Sequence, residues 1–123
     1  MDDAGPDELI QATTAEHGVV IVRCATPRLR LDESQHLATL FDTGHPDAKA
    51  IILNLHGVEF IDSTGISLLV RVASMRSLLL CRLGEAVTRI LESTGMLKLL
   101  NVFESERQAM DRYAAGDVAG PLP

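Results

Sequence analysis

Apolar residues follow two rhythms along this chain. Val19-Val20-Ile21-Val22-Arg23-Cys24-Ala25, Ala50-Ile51-Ile52-Leu53-Asn54-Leu55 and Leu78-Leu79-Leu80-Cys81-Arg82-Leu83 are nearly continuous apolar runs. Runs of that length, rich in branched residues, predict strands covered on both faces. Leu9 to Thr14 predicts an edge strand, with a turn at Ala15-Glu16-His17-Gly18, and Leu99 to Phe103 predicts the last strand. Between the runs the period lengthens. Leu37, Leu40 and Phe41, then Ile66, Leu69, Val70 and Ala73, then Val87, Ile90 and Leu91 recur at helical spacing. Each set marks one apolar helix face.

Punctuation supports these boundaries. Thr26 to Arg30 breaks the second strand. Asp32 with Gln35 has capping-box spacing for a first helix, which Gly44-His45-Pro46 ends. Val58, Phe60 and Ile61 are expected to return to the core after a turn at His56-Gly57. Gly95 fits the residue just past a helix end, and Ser105 with Gln108 opens a final helix to about Ala114. The order β-β-α-β-α-β-α-β-α predicts a single α/β domain. Its mostly parallel central sheet should have about five strands, with an antiparallel N-terminal edge strand and about four helices. Residues 1–8 are expected to be a flexible N-terminus, 9–114 the domain, and 115–123 a flexible tail.

Composition narrows the function. The chain has 123 residues, 46% of them hydrophobic, so one real core is affordable. Aromatics are only 3%, which leaves Leu, Ile, Val and Ala to build it. The net charge is -6 and the arginines are scattered. Without a basic stripe, direct nucleic-acid binding is not expected. No apolar run approaches the roughly 20 residues of a membrane helix, and the start is acidic, so a cytoplasmic protein without membrane insertion is expected. Cys24 and Cys81 lie within strands and read as small buried hydrophobes. A redox pair would require the fold to bring them together.

One turn stands out. Asp62-Ser63-Thr64-Gly65 links an apolar strand region to a helix. Ser63 stands where an N-cap belongs, beside backbone N–H groups that lack intrahelical partners. A phosphate on its oxygen would be held by those groups and the helix dipole. It would also add about -1.5 to -2 charge beside Asp62. The plain alternative is that these residues only cap the helix.

The surrounding sequence resembles the STAS domain family, the fold of bacterial anti-sigma-factor antagonists. The likeness rests on residues 51–66, an apolar strand, a short bridge and the Asp62-Ser63-Thr64-Gly65-Ile66 signature. Leu91-Glu92-Ser93-Thr94-Gly95-Met96-Leu97-Lys98-Leu99-Leu100 and Phe103-Glu104-Ser105-Glu106-Arg107-Gln108-Ala109 match later segments, in order. The resemblance implies a STAS-like domain that binds an anti-sigma factor and releases a sigma factor. It implies a serine-kinase type of anti-sigma factor that phosphorylates Ser63 and blocks binding, and a phosphatase that restores it. Asp62, Thr64 and Gly65 would shape the acceptor and the contact. The surface would extend over Ser67, Arg71 and Ser74 and to Arg28 and Arg30. Two segments depart from the pattern. The stretch before the third core strand lacks its glycine-rich turn, so Met75-Arg76-Ser77 must turn the chain and the helix is expected to be short. The segment before the first helix is Ala25-Thr26-Pro27-Arg28-Leu29.

Other functions find less support. Gly65 gives half of a Gly-x-Ser-x-Gly nucleophile elbow, but position 61 is Ile. His17, His36, His45 and His56 all precede Ser63, whereas that enzyme class needs a later histidine. An enzyme is therefore not expected. The histidines lack metal-ligand spacing, and neither a Gly-x-Gly-x-x-Gly nor a P-loop is present, so no metal and no cofactor are expected. The alternative within the family is a scaffold or interaction subunit of a signalling or lipid-transport complex, without a phospho-switch.

Overall fold

The computed structural model describes residues 9–122, so the expectation for 1–8 lies outside the described residues. Five strands form the main sheet in the order β1-β2-β4-β6-β7. They are β1 (Ile10–Thr14), β2 (Val19–Cys24), β4 (Ala50–Asn54), β6 (Ser77–Cys81) and β7 (Asn101–Phe103). β1 runs antiparallel to β2, and every other pairing is parallel. The central registers place Val22 beside Leu53 and Leu53 beside Leu80, and all three are fully buried. β4 and β6 are buried at every position, as their unbroken apolar runs predicted. β3 (Arg28–Leu29) and β5 (Phe60–Ile61) form a separate parallel pair. Thr26 to Arg30 is thus a break that itself carries a strand.

Four α-helices cover the sheet: α1 (Leu31–Thr39), α2 (Ser63–Met75), α3 (Glu85–Ser93) and α4 (Glu106–Ala114). The first three bury Leu37, Leu68, Leu69, Val72, Val87 and Leu91 against one face, with Val22, Ile51, Leu53 and Leu80. α4 packs alone on the other face, where Ala109 meets Val19, Ala50, Ile52, Leu79 and Cys81. The unequal layers follow from the chain order. The three crossovers joining parallel strands lie on one side, and only the helix after β7 reaches the other.

Several local expectations shift. α1 is capped two residues earlier than Asp32, at Arg30, and the Arg30 N–H donates to the Glu33 carboxylate at 3.0 Å. The β3–β5 pairing ends at Leu29 and forces the helix to start there. A π-helical turn, Leu40–Gly44, extends α1 and buries Phe41. In α2 the inward residues are Gly65, Leu68, Leu69, Val72 and Ala73, while Ile66 and Val70 flank them. α2 is not short: it runs 13 residues, and Arg76 alone, in extended conformation, carries the chain into β6. The one-residue turn leaves the helix whole. Phe60 does not enter the core and is 41% exposed. After Ala114, Ala119 exchanges two hydrogen bonds with the Asn101 side chain, and the Leu122 N–H donates to the Ala73 carbonyl at 2.7 Å.

Candidate functional site: the Ser63 turn

The path from β4 to Ser63 is fixed by backbone contacts. The Gly57 N–H donates to the Cys24 carbonyl at 3.0 Å. A Cβ at position 57 would lie 2.5 Å from the Ala25 carbonyl oxygen, so the loop closes on β2 only with glycine there. The β3–β5 register sets Leu29 beside Ile61, both buried, and Arg28 beside Phe60, both exposed. The Asp62 N–H then donates to the Leu29 carbonyl at 3.2 Å, and α2 begins.

Asp62, and not Ser63, is the N-cap. Its carboxylate accepts from the N–H groups of Thr64 (2.9 Å) and Gly65 (3.1 Å) and from the Thr64 hydroxyl. The Thr64 hydroxyl is the largest cause holding the Asp62 carboxyl below the usual carboxylate range. The Gly65 and Thr64 amides and the Arg30 charge add to it, against partial desolvation. Ser63 is therefore the first residue inside the helix. It is exposed, and its hydroxyl makes no hydrogen bond among the described residues. Gly65 is buried, and a Cβ there would sit 2.6 Å from Ile61 Cγ2 and 2.8 Å from the Leu29 carbonyl oxygen. Glycine lets α2 start directly against β3.

The remaining predicted contact residues fall on two exposed edges. Ser67, Arg71 and Ser74 are exposed and recur along α2 at helical spacing from Ser63. Two of them have internal partners. The Arg71 guanidinium pairs with Asp42 at 2.8 Å, and the Ser74 hydroxyl donates to the Val70 carbonyl at 2.9 Å. The second edge carries Arg28 and Arg30, with the Arg30 guanidinium 5.9 Å from the centre of the Phe60 ring. Phe60, expected in the core, is instead exposed beside them, and Leu31 is exposed as well. The alternation of outward Phe60 with inward Ile61 is its only sequence signal, and two residues are too few to reveal it.

The cysteines are not a pair. Cys24 packs on the face of α1–α3 and Cys81 on the face of α4, with β4 between their strands. Burial pushes the Cys24 thiol up to about 12 and the Cys81 thiol to about 11, so both stay protonated at neutral pH. Among the described residues no group of His, Cys, Asp and Glu could hold a metal ion, and no helix is long and apolar enough to cross a membrane.

A five-stranded sheet with one antiparallel edge, three helices on one face and an Asp-capped serine turn at the head of α2 defines a recognisable class. The chain belongs to the STAS domain family, whose model matches residues 10–109. Solved structures share the fold at low identity. TM1081 of Thermotoga maritima is 23% identical with a TM-score of 0.70, over 87% of this chain and 96% of that one. The Bacillus anti-sigma factor antagonist SpoIIAA, solved unphosphorylated and phosphorylated, is 17% identical in the first form. Its TM-score is 0.61, over 85% of this chain and 97% of that one. A sulfate transporter family protein from Wolinella succinogenes is 22% identical with a TM-score of 0.70, over 84% and 89% of the two chains.

Proposed function

We propose that this domain is an anti-sigma factor antagonist that binds an anti-sigma factor of the serine-kinase type through the Ser63 turn, and that phosphorylation of Ser63 switches the binding off. The observation that carries this reading is the division of labour at the turn. Asp62 caps the Thr64 and Gly65 N–H groups of α2, and the exposed Ser63 hydroxyl takes no part in that cap. A kinase can take that hydroxyl without unfolding the cap. The added phosphate brings about -1.5 to -2 charge to a surface that already holds the Asp62 carboxylate. Repulsion and a larger hydration shell then oppose a partner shaped to the small neutral serine. Arg28 and Arg30 border the turn and give the unmodified surface its cationic edge, with Phe60 as an apolar contact.

The test is affinity capture with the wild-type chain, Ser63→Ala and Ser63→Glu, followed by mass spectrometry of captured proteins and of the Ser63 peptide. Ser63→Ala should hold the partner constitutively. Ser63→Glu should bind at least about tenfold more weakly, a loss of about 1.4 kcal/mol. Equal capture by Ser63→Glu and wild type would exclude the switch and leave the scaffold role.

A further inference from the structure

Among the described residues, two arginines border the Ser63 turn without an ion-pair partner, Arg28 and Arg30. One further step of the β3–β5 register sets Arg30 level with Asp62, and the Asp62 N–H donating to the Leu29 carbonyl at 3.2 Å carries the pairing that far. Side chains alternate along the two short strands, so Arg28 and Arg30 share the outward face with Phe60, opposite buried Leu29 and Ile61. α1 follows Arg30 directly, as α2 follows Asp62, and the two helices pack on each other from that common start. Ser63 lies on the edge of α2 that borders α1. Ser67 and Arg71 continue that edge at four-residue steps, and Arg71 reaches across to Asp42, in the π-helical turn that extends α1.

The carboxylates at this junction are engaged elsewhere. Asp62 takes three hydrogen bonds on one oxygen, all from the first turn of α2. Glu33 accepts the Arg30 N–H at 3.0 Å and lies with Asp32 in the first turn of α1. Neither these three nor Glu59, next to Phe60, forms an ion pair with Arg28 or Arg30. The Arg30 guanidinium instead rests over the Phe60 ring, 5.9 Å from its centre. Its charge also reaches Asp62, where it adds to the Thr64 hydroxyl and the two amides in holding that carboxyl below the usual range. A guanidinium over an exposed ring is held weakly. A phosphate dianion offers it a stronger, bidentate and charge-assisted contact. The Asp62 carboxylate repels such a phosphate, and Arg30 is the group placed to offset both charges at once.

We infer that, once Ser63 is phosphorylated, Arg30 leaves the Phe60 ring and clamps the phosphate, with Arg28 as a second, weaker donor. The inference rests on the Ser63 switch proposed above and gives it a mechanism: the phosphate takes from the partner the arginine that the unmodified surface offers it. The test uses the full chain with phosphoserine incorporated at position 63 during translation, so it needs neither kinase nor partner. The phosphorus NMR signal is followed through the second ionisation, ordinarily at about pH 6. A cation beside the phosphate favours the dianion and lowers the titration midpoint. Arg30→Gln should therefore raise the midpoint by about half a pH unit or more. Arg28→Gln should raise it less, and Arg30→Lys, a point charge without the fork, should fall between Arg30→Gln and wild type. Arg107→Gln, on α4 across the sheet, should leave it in place. The Phe60 ring signals should move on phosphorylation in wild type and stay in Arg30→Gln. The clamp is overturned if Arg30→Gln keeps the wild-type midpoint, if Arg107→Gln raises it as much, or if the Phe60 signals do not respond. Such a result would leave the switch to repulsion alone, whereas failure of the switch itself is read from affinity capture.

Discussion

At the Ser63 turn two neighbouring side chains have opposite jobs. Asp62 spends its carboxylate on the fold, and Ser63 leaves its hydroxyl in water. Stability measurements should separate them. Asp62→Ala removes the acceptor for two backbone N–H groups and should cost about 1 kcal/mol in urea denaturation. Ser63→Ala removes nothing that the fold uses and should stay within about 0.5 kcal/mol of wild type. A large loss in Ser63→Ala would mean that the serine is a structural cap after all. From the sequence, either residue of Asp62-Ser63 is a good N-cap. Only the Leu29 carbonyl, which receives the Asp62 N–H from across the small sheet, decides that Asp62 is the cap and that the helix starts at Ser63, one residue earlier than a Ser63 cap would set.

The same contrast between local pattern and distant contact runs through the elements. β2, β4 and β6 were legible because residues buried on both faces must be apolar throughout, whatever packs on them. Leu53 and Leu80 sit side by side at the centre with no exposed surface. Truncating either to Ala should cost about 2–5 kcal/mol by thermal or urea unfolding, because neighbours on both strands and helices cannot collapse into the space. Losses near zero at both would contradict the register. Helix phase was less legible. α2 is apolar over much of its circumference, so a face centred on Ile66 and Val70 reads as well as the observed one through Gly65, Leu68, Leu69 and Val72. Burying glycine 65 chose between them, since only that face brings α2 against β3. The α1 boundary and the outward turn of Phe60 likewise come from the β3–β5 pairing, whose two residues per strand carry no periodic signal.

Across the whole molecule, α4 needs an anchor that the other helices do not, because it holds the far face of the sheet alone. Glu106, in its first turn, supplies one. Its carboxylate accepts from Arg23 on β2 through two hydrogen bonds of 2.7 Å and from the Asn54 amide on β4 at 2.6 Å. The Asn54 side-chain oxygen accepts from the His56 N–H at 3.0 Å, so the anchor reaches the loop that leads toward Ser63. The Arg23 hydrogen bonds are the largest cause lowering the Glu106 carboxyl pKa, with Asn54 and the Arg23 and His56 charges adding to them against desolvation. A carboxyl whose pKa is lower folded than unfolded stabilises the fold above its unfolded value. That contribution disappears as pH falls through the folded value. Glu106→Gln should therefore be less stable than wild type at pH 7, by about 1–3 kcal/mol for hydrogen bonds to a charged group. The gap should close as urea midpoints are followed down through and below the ordinary carboxylate range. Arg23→Gln should show the same convergence, since it removes the other half of the pair. A gap that stayed constant with pH would mean that Glu106 acts by packing alone. Amide exchange in the His56 loop would then be unchanged in the variant, whereas the anchor requires it to quicken.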